Sequence, residues 1–341
     1  MITSSRQKTE AVPTHPAHAN HAAAPSDVLV FIEDPTVPPP SLRHAQKVAG
    51  ALGGKVVLIH VQCRSDDDDG PIDPIKWDIR KQKAMNWLTR LVQSADDADA
   101  PCEAKLLEGP CIRQIQSYLE KHQVDIAATM RSHGDNPWHL SETCWGVLSS
   151  RSAAVLMIPA ETQIAADKPY LRILVPLDGS ARAEMALPKA IRLAKAETSE
   201  LMLCYVAPEP GLTEFGGRDQ EAQRLHDMVR KRNEQAGKTY LAGIKNRLAH
   251  NGLKITTSIS RSGDARRALI DAVTQHKADF VVMATHGQSG HKDVPTGDVA
   301  RFVFDRADVP VLLVRYRNGR DGNHAFGNVA STGVRQPAGT D

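Results

Sequence analysis

Asp178 closes the apolar run Ile173-Leu174-Val175-Pro176-Leu177 and is followed by Gly179-Ser180. Much later another apolar run ends in Met283-Ala284-Thr285-His286-Gly287-Gln288-Ser289-Gly290, and a loop leads to Gly297-Asp298 and a helical stretch from Val299. A carboxylate at the end of a strand can accept hydrogen bonds from a polar ligand. Glycines between a strand and a helix let backbone come close and turn N–H groups toward an anion. These residue types suit binding. They include no nucleophile arranged with a base, no Walker lysine and no zinc ligand set.

The elements that must position these residues occur twice. An earlier run, Val28-Leu29-Val30-Phe31-Ile32, ends in Glu33 where the later one ends in Asp178. In both copies a valine closing a second apolar run, Leu58-Ile59-His60-Val61 or Leu203-Cys204-Tyr205-Val206, stands 28 positions after that acidic residue. Continuous apolar runs predict strands buried on both faces, at 28–33, 56–61, 103–107, 126–130 and 155–158, and again at 172–177, 201–206, 254–259, 280–284 and 311–314. Between them, apolar residues recur at helical spacing. Leu42, Ala45, Val48, Ala49 and Leu52 mark one such helix, and Ala183, Ala186, Leu187, Ala190, Ile191 and Ala194 its counterpart. A longer helix is marked by Trp87, Leu88, Leu91 and Val92 in the first copy. Leu225, Met228, Val229, Leu241, Ile244 and Leu248 mark it in the second.

Alternating strands and helices predict an α/β fold with two tandem flavodoxin-like or Rossmann-like domains. Each is a five-stranded parallel sheet with helices on both faces, and ligands bind beyond the carboxyl ends of its strands. The boundaries expected are 27–160 and 170–316, with disordered tails at 1–26 and 317–341. The net charge of +2 gives no field for nucleic acid, no stretch approaches the roughly 18 apolar residues of a membrane span, and the first 26 residues lack the apolar core of a signal peptide. The five cysteines are scattered without CxxC pairing, as expected of reduced thiols in a cytoplasmic protein.

The phrase Ala278-Asp279-Phe280-Val281-Val282-Met283-Ala284-Thr285-His286-Gly287, and the ending Val309-Pro310-Val311-Leu312-Leu313-Val314-Arg315, resemble the universal stress protein family. Nucleotide-binding members carry Gly-x-x-Gly, nine residues, then Gly-Ser or Gly-Thr; here Ala284-Thr285-His286-Gly287 is followed after nine residues by Gly297-Asp298. The resemblance spans the second copy and extends more faintly to the first. It implies a tandem stress-response protein that binds ATP or another adenine nucleotide, with Mg²⁺ as a candidate companion ion. By this resemblance Asp178 accepts from the adenine or ribose edge, with Pro176 and Leu177 beside it, and Val206 packs on the base. Met283 and Ala284 line the sugar, Gly287 and Gly297 offer N–H groups to phosphates, and Val299 follows in the same loop.

Two positions depart from the pattern. Ala284 adds a methyl group where the family has glycine. Asp298 replaces a hydroxyl with an anion, and a carboxylate about 5 Å from a phosphate charge costs roughly 3 kcal/mol at an effective dielectric near 20. That is on the order of a hundredfold in affinity, unless Mg²⁺ bridges the two. Read without a ligand, Asp298 is a helix cap. The first copy departs further, with Glu33, the prolines Pro35 and Pro38-Pro39-Pro40, and Ser141-Glu142 where Gly297-Asp298 stands. It is read as a scaffold that binds no nucleotide.

The last strand of each copy is an apolar edge in the family's fold, which predicts that the two copies pair through it within one chain; a homodimer is a further form to expect. His15, His18 and His21 read as part of a solvated tail, Asp66–Asp69 as a solvated loop, and Trp138, His139, Cys144 and Trp145 as aromatic capping of a core. His286 reads as structural. Two other functions compete with nucleotide binding: a nucleotide-independent dimerising interaction protein, and a slow ATPase, against which the lack of a base or lysine counts.

Overall fold

A computed structural model describes residues 25–36, 39–63, 73–95, 99–122, 124–131, 147, 153–159, 162, 165, 167–209, 220–261, 263–286 and 296–315. The tail histidines, the Asp66–Asp69 run, the Trp138–Trp145 segment, Ser141-Glu142 and Gly287 lie outside them. The elements run β1 (Val28–Ile32), α1 (Ser41–Ala51), β2 (Val56–Gln62), α2 (Pro74–Ala95), β3 (Cys102–Glu108), α3 (Cys111–Lys121), β4 (Ile126–Arg131) and β5 (Ala154–Pro159). They continue as β6 (Arg172–Leu177), α4 (Ala181–Glu184), α5 (Leu187–Glu197), β7 (Glu200–Val206), α6 (Gln220–Leu248), β8 (Ile255–Ser260), α7 (Ala265–Gln275), β9 (Phe280–Ala284), α8 (Asp298–Arg306) and β10 (Val311–Val314).

The strands form one ten-stranded sheet in the order β3-β2-β1-β4-β5-β10-β9-β6-β7-β8. Neighbours are parallel except β5 and β10, which pair antiparallel with Val311 opposite Met157, Leu312 opposite Leu156 and Leu313 opposite Val155. That register is symmetric about Leu156 and Leu312, so it defines a pseudo-twofold axis. Strand order reverses between β1 and β4 and again between β6 and β9. The antiparallel seam points the carboxyl ends of the two halves toward opposite edges of the sheet.

Alternate strand residues feed the two faces, as the period of a strand requires. Val28, Val30, Val175 and Leu203 pack with Leu42, Val48, Leu187 and Leu193 of α1 and α5. Leu29, Leu174 and Val281 pack on the other face with Ile115, Leu269 and Phe304 of α3, α7 and α8. Helices α1 and α5 also pack on each other across the seam. There His44 Nδ1 lies 2.7 Å from the hydroxyl of Tyr170, a fully buried ring, and Lys47 pairs with Glu197 at 3.2 Å.

Two helical expectations need correction. The helix after β6 is broken at Met185-Ala186, because Pro188 has no N–H to continue the ladder and is accommodated in the first turn of a new helix, α5. In α6, Leu241, Ile244 and Leu248 are buried, whereas Leu225 and Met228 are exposed. The amino-terminal turns of that helix extend past the core, so its two apolar residues there are not core residues.

Candidate functional site

The crevice beyond β6 and β9 lies where strand order reverses, the place at which open α/β sheets take ligands. Asp178 follows β6, Val206 ends β7 and Ala284 ends β9, so these three adjacent parallel strands present all three residues at one edge. Asp178 is half-buried; its Oδ1 accepts from the Ser180 backbone N–H at 2.9 Å and from Ser180 Oγ at 2.6 Å. Ser180 Oγ in turn accepts from the Ala183 N–H at 3.1 Å and caps α4. Gly179 makes the turn possible with φ +86°, a conformation that favours a residue without Cβ. On the far side, Tyr240 of α6 donates from its hydroxyl to Glu184 at 3.0 Å. Burial, then the negative charges of Glu184 and Asp178, raise the pKa of this phenol, so it stays a donor.

Thr285, the residue after β9, is buried; its N–H donates to the Val314 carbonyl at 3.0 Å and its own carbonyl accepts from the Gly297 N–H at 2.8 Å. The start of α8 is thereby held against the end of β9. A Cβ on Gly297 would sit 3.2 Å from that carbonyl, which explains glycine here although its φ of −66° is open to any residue. Gly297 is the N-cap residue of α8, and among the described residues no side chain caps the helix. The N–H groups of Asp298, Val299 and Ala300 have no acceptor within the helix, and they form its partly positive end. His286 places Nδ1 3.1 Å from Thr285 Oγ1.

The expected site residues are placed as follows. The Gly297 N–H donates to the Thr285 carbonyl, and the remaining donors at this helix end are those of Asp298 onward. Leu177 and Met283 bury their side chains in the two cores, leaving only their backbone near the edge. Asp298 is not the cap; it is exposed in the first turn, where its charge complements the helix dipole. Pro176 is half-buried, and Val206 and Val299 are partly buried against the core.

Ser180 and Thr285, which hold Asp178 and the helix start in place, lay next to residues already singled out. Arg266 lay far from them in sequence. It stands in the first turn of α7, where Asp264 caps the helix by accepting from the Arg266 N–H at 3.0 Å. The guanidinium donates from Nε to Asp264 Oδ1 at 3.1 Å and from Nη2 to Oδ2 at 3.4 Å, and its carbon lies 5.8 Å from the centre of the Phe302 ring on α8. Phe302 is one turn beyond Asp298 on the same face of α8. Asp264 first, and Asp298 more weakly, raise the pKa of Arg266.

The corresponding edge of the first half is arranged differently. Glu33 is exposed, and Asp34 Oδ1 accepts from the N–H and hydroxyl of Thr36 at 2.9 and 2.6 Å. Arg131, aligned with Thr285, reaches across to the other half and donates from Nη1 to the Asp305 carbonyl at 2.7 Å. An open groove of about 530 Å³ lies at the amino ends of β6, β7 and β8. Its Arg172, Lys195 and Lys254 sit among helix carboxyl ends, whose dipoles they complement, and Glu200 pairs with Lys254 at 2.9 Å.

Residues 169–315 match the family model of the universal stress protein family. The universal stress protein YxiE of Bacillus subtilis is 27% identical over 148 residues, which cover 43% of this chain and 99% of that protein. Universal stress protein MJ0531 of Methanocaldococcus jannaschii is 29% identical over 146 residues, 43% of this chain and 82% of that protein. In fold, the chain is similar to a solved universal stress protein from Archaeoglobus fulgidus, with a TM-score of 0.60 at 19% identity, over 86% of this chain and 97% of that one. Residues 169–315 are thus similar in sequence to the universal stress protein family.

Proposed function

We propose that the second copy binds an adenine nucleotide at the carboxyl ends of β6, β7 and β9, that the first copy is its scaffold, and that the chain acts as a stress-response binding and signalling module. The observation that carries this reading is the convergence of Asp178, Val206 and Ala284 on one edge beside the amino-terminal end of α8. Asp178, fixed by Ser180, takes the adenine or ribose edge, and Val206 offers an apolar surface to the base. Ala284 lies beside the sugar, and the N–H groups at the start of α8 receive phosphate. Mg²⁺ between a phosphate and Asp298 suits an ion that prefers carboxylate and phosphate oxygens. Arg131 is committed to the seam, which supports a scaffolding role for the first copy.

Calorimetry with adenosine, AMP and ATP tests the reading. Asp178→Ala should abolish binding, and Glu33→Ala should leave it unchanged. Equal losses from both variants would overturn the asymmetry. No heat from any of the three ligands, together with no nucleotide released on denaturing freshly purified protein, would overturn the nucleotide site.

A further inference from the structure

We propose that Arg266 is a phosphate-positioning residue, which turns from Asp264 to a ligand phosphate at the start of α8 and so offsets the repulsion of Asp298. The inference rests on the nucleotide reading above and adds a cation from a neighbouring helix.

Three observations support it. The first is place: Arg266 opens α7 and Asp298 opens α8, and these helices pack together with the guanidinium over Phe302, one turn from Asp298. The second is availability. The Arg266 and Asp264 side chains are about half and one third exposed, and exposed ion pairs hold their partners weakly, so little opposes exchange of one oxyanion for another. Asp264 would keep the Arg266 N–H, and Arg267 Nε lies 3.9 Å from its Oδ2. The third is charge balance. Arg266 and Arg267 both pair with Asp264 and the charge of Asp298 acts on Arg266, so the repulsion expected from Asp298 alone is countered by a cation brought from another helix. A guanidinium also presents paired N–H groups that match two phosphate oxygens.

Calorimetry in chelator, with adenosine, AMP, ATP and inorganic tripolyphosphate, tests the proposal on the full chain. Arg266→Gln should weaken ATP and tripolyphosphate at least tenfold and change adenosine by less than twofold. Arg266→Lys, with charge but no fork, should recover part of the loss. Asp298→Ser should improve ATP binding only a few-fold in the otherwise unchanged chain, and at least tenfold in the Arg266→Gln background. Unchanged ATP affinity in Arg266→Gln, or equal loss of adenosine and ATP, would overturn the role of Arg266 and leave the nucleotide site standing. Tripolyphosphate binding that depends on Arg266, without binding of adenosine or ATP, would overturn the nucleotide reading and leave Arg266 as an anion-binding residue. Binding of none of the four overturns both.

Discussion

Lys47 Nζ lies 3.2 Å from Glu197 Oε2 with side chains only 7% and 10% exposed, and this pair joins α1 of the first half to α5 of the second. The same Glu197 oxygen accepts from the Tyr170 N–H at 3.0 Å, and Lys47 also donates to the Lys168 carbonyl and sits 4.8 Å from the centre of the Tyr170 ring. The duplication aligns Lys47 with Arg192 and Leu52 with Glu197. Across the pseudo-twofold axis, Arg192 donates to the Leu52 carbonyl. One side of the seam is thus an ion pair, and the other is a charge on a backbone carbonyl.

Removing one member of a buried pair leaves its partner charged and poorly solvated, at a cost of about 3–5 kcal/mol. Glu197→Ala and Lys47→Ala are each expected to destabilise the chain by roughly that much in urea unfolding. Lys47→Met combined with Glu197→Leu should recover most of the loss, since it removes both charges and keeps the volume. Single changes worth less than about 1 kcal/mol would mean that water reaches the pair.

His44 gives the seam an acid limit. Burial first, and then the charge of Lys47, push its pKa down from 6.5 to about 4. Lys47 on its own helix is the charge that acts on it, and the Tyr170 hydroxyl from the second half is its hydrogen-bond partner. Because the folded pKa lies below the unfolded one, the stabilisation is whole above pH 6.5 and is lost as the pH falls toward 4, where the unfolded chain binds the proton and the folded chain does not. The full span amounts to about 3 kcal/mol, an order-of-magnitude figure. His44→Gln, which keeps a polar partner for Tyr170 but does not titrate, should flatten stability between pH 6.5 and 4. An unaltered slope would assign the acid sensitivity to other groups.

The strands were legible because burial on both faces leaves continuous apolar runs, and all ten runs marked in the sequence correspond to strands. Asp178 and its turn were legible for a local reason, since Asp-Gly-Ser encodes its own hydrogen bonds. What local sequence did not reveal depended on distant partners. Asp298 was weighed without Arg266, a cation on another helix on which its charge acts, and Gly297 without the Thr285 carbonyl that takes its N–H. Leu225 and Met228 fit a helical period but extend past the core, which periodicity alone does not reveal. The Pro188 break was visible in the sequence but hidden by the apolar spacing around it.

The seam also predicts how the chain unfolds. Leu156 and Leu312 are opposite each other at the centre of the antiparallel pair, and both are buried. Leu→Ala at either position should cost about 2–5 kcal/mol, and the double change should depart from the sum because the two sites are in contact. The four tryptophans, Trp77, Trp87, Trp138 and Trp145, all precede β6 in the sequence, so tryptophan fluorescence is weighted toward the first half. Circular dichroism reports both halves. If the buried pair, the His44–Tyr170 contact and the β5–β10 ladder bind the halves into one cooperative unit, the two signals should fall together in denaturant. Leu312→Ala, a change in the second half, should then shift the fluorescence midpoint as far as the dichroism midpoint. A fluorescence transition that stays in place while the dichroism transition moves would mean that the halves unfold separately, with the seam contributing little to the stability of the first.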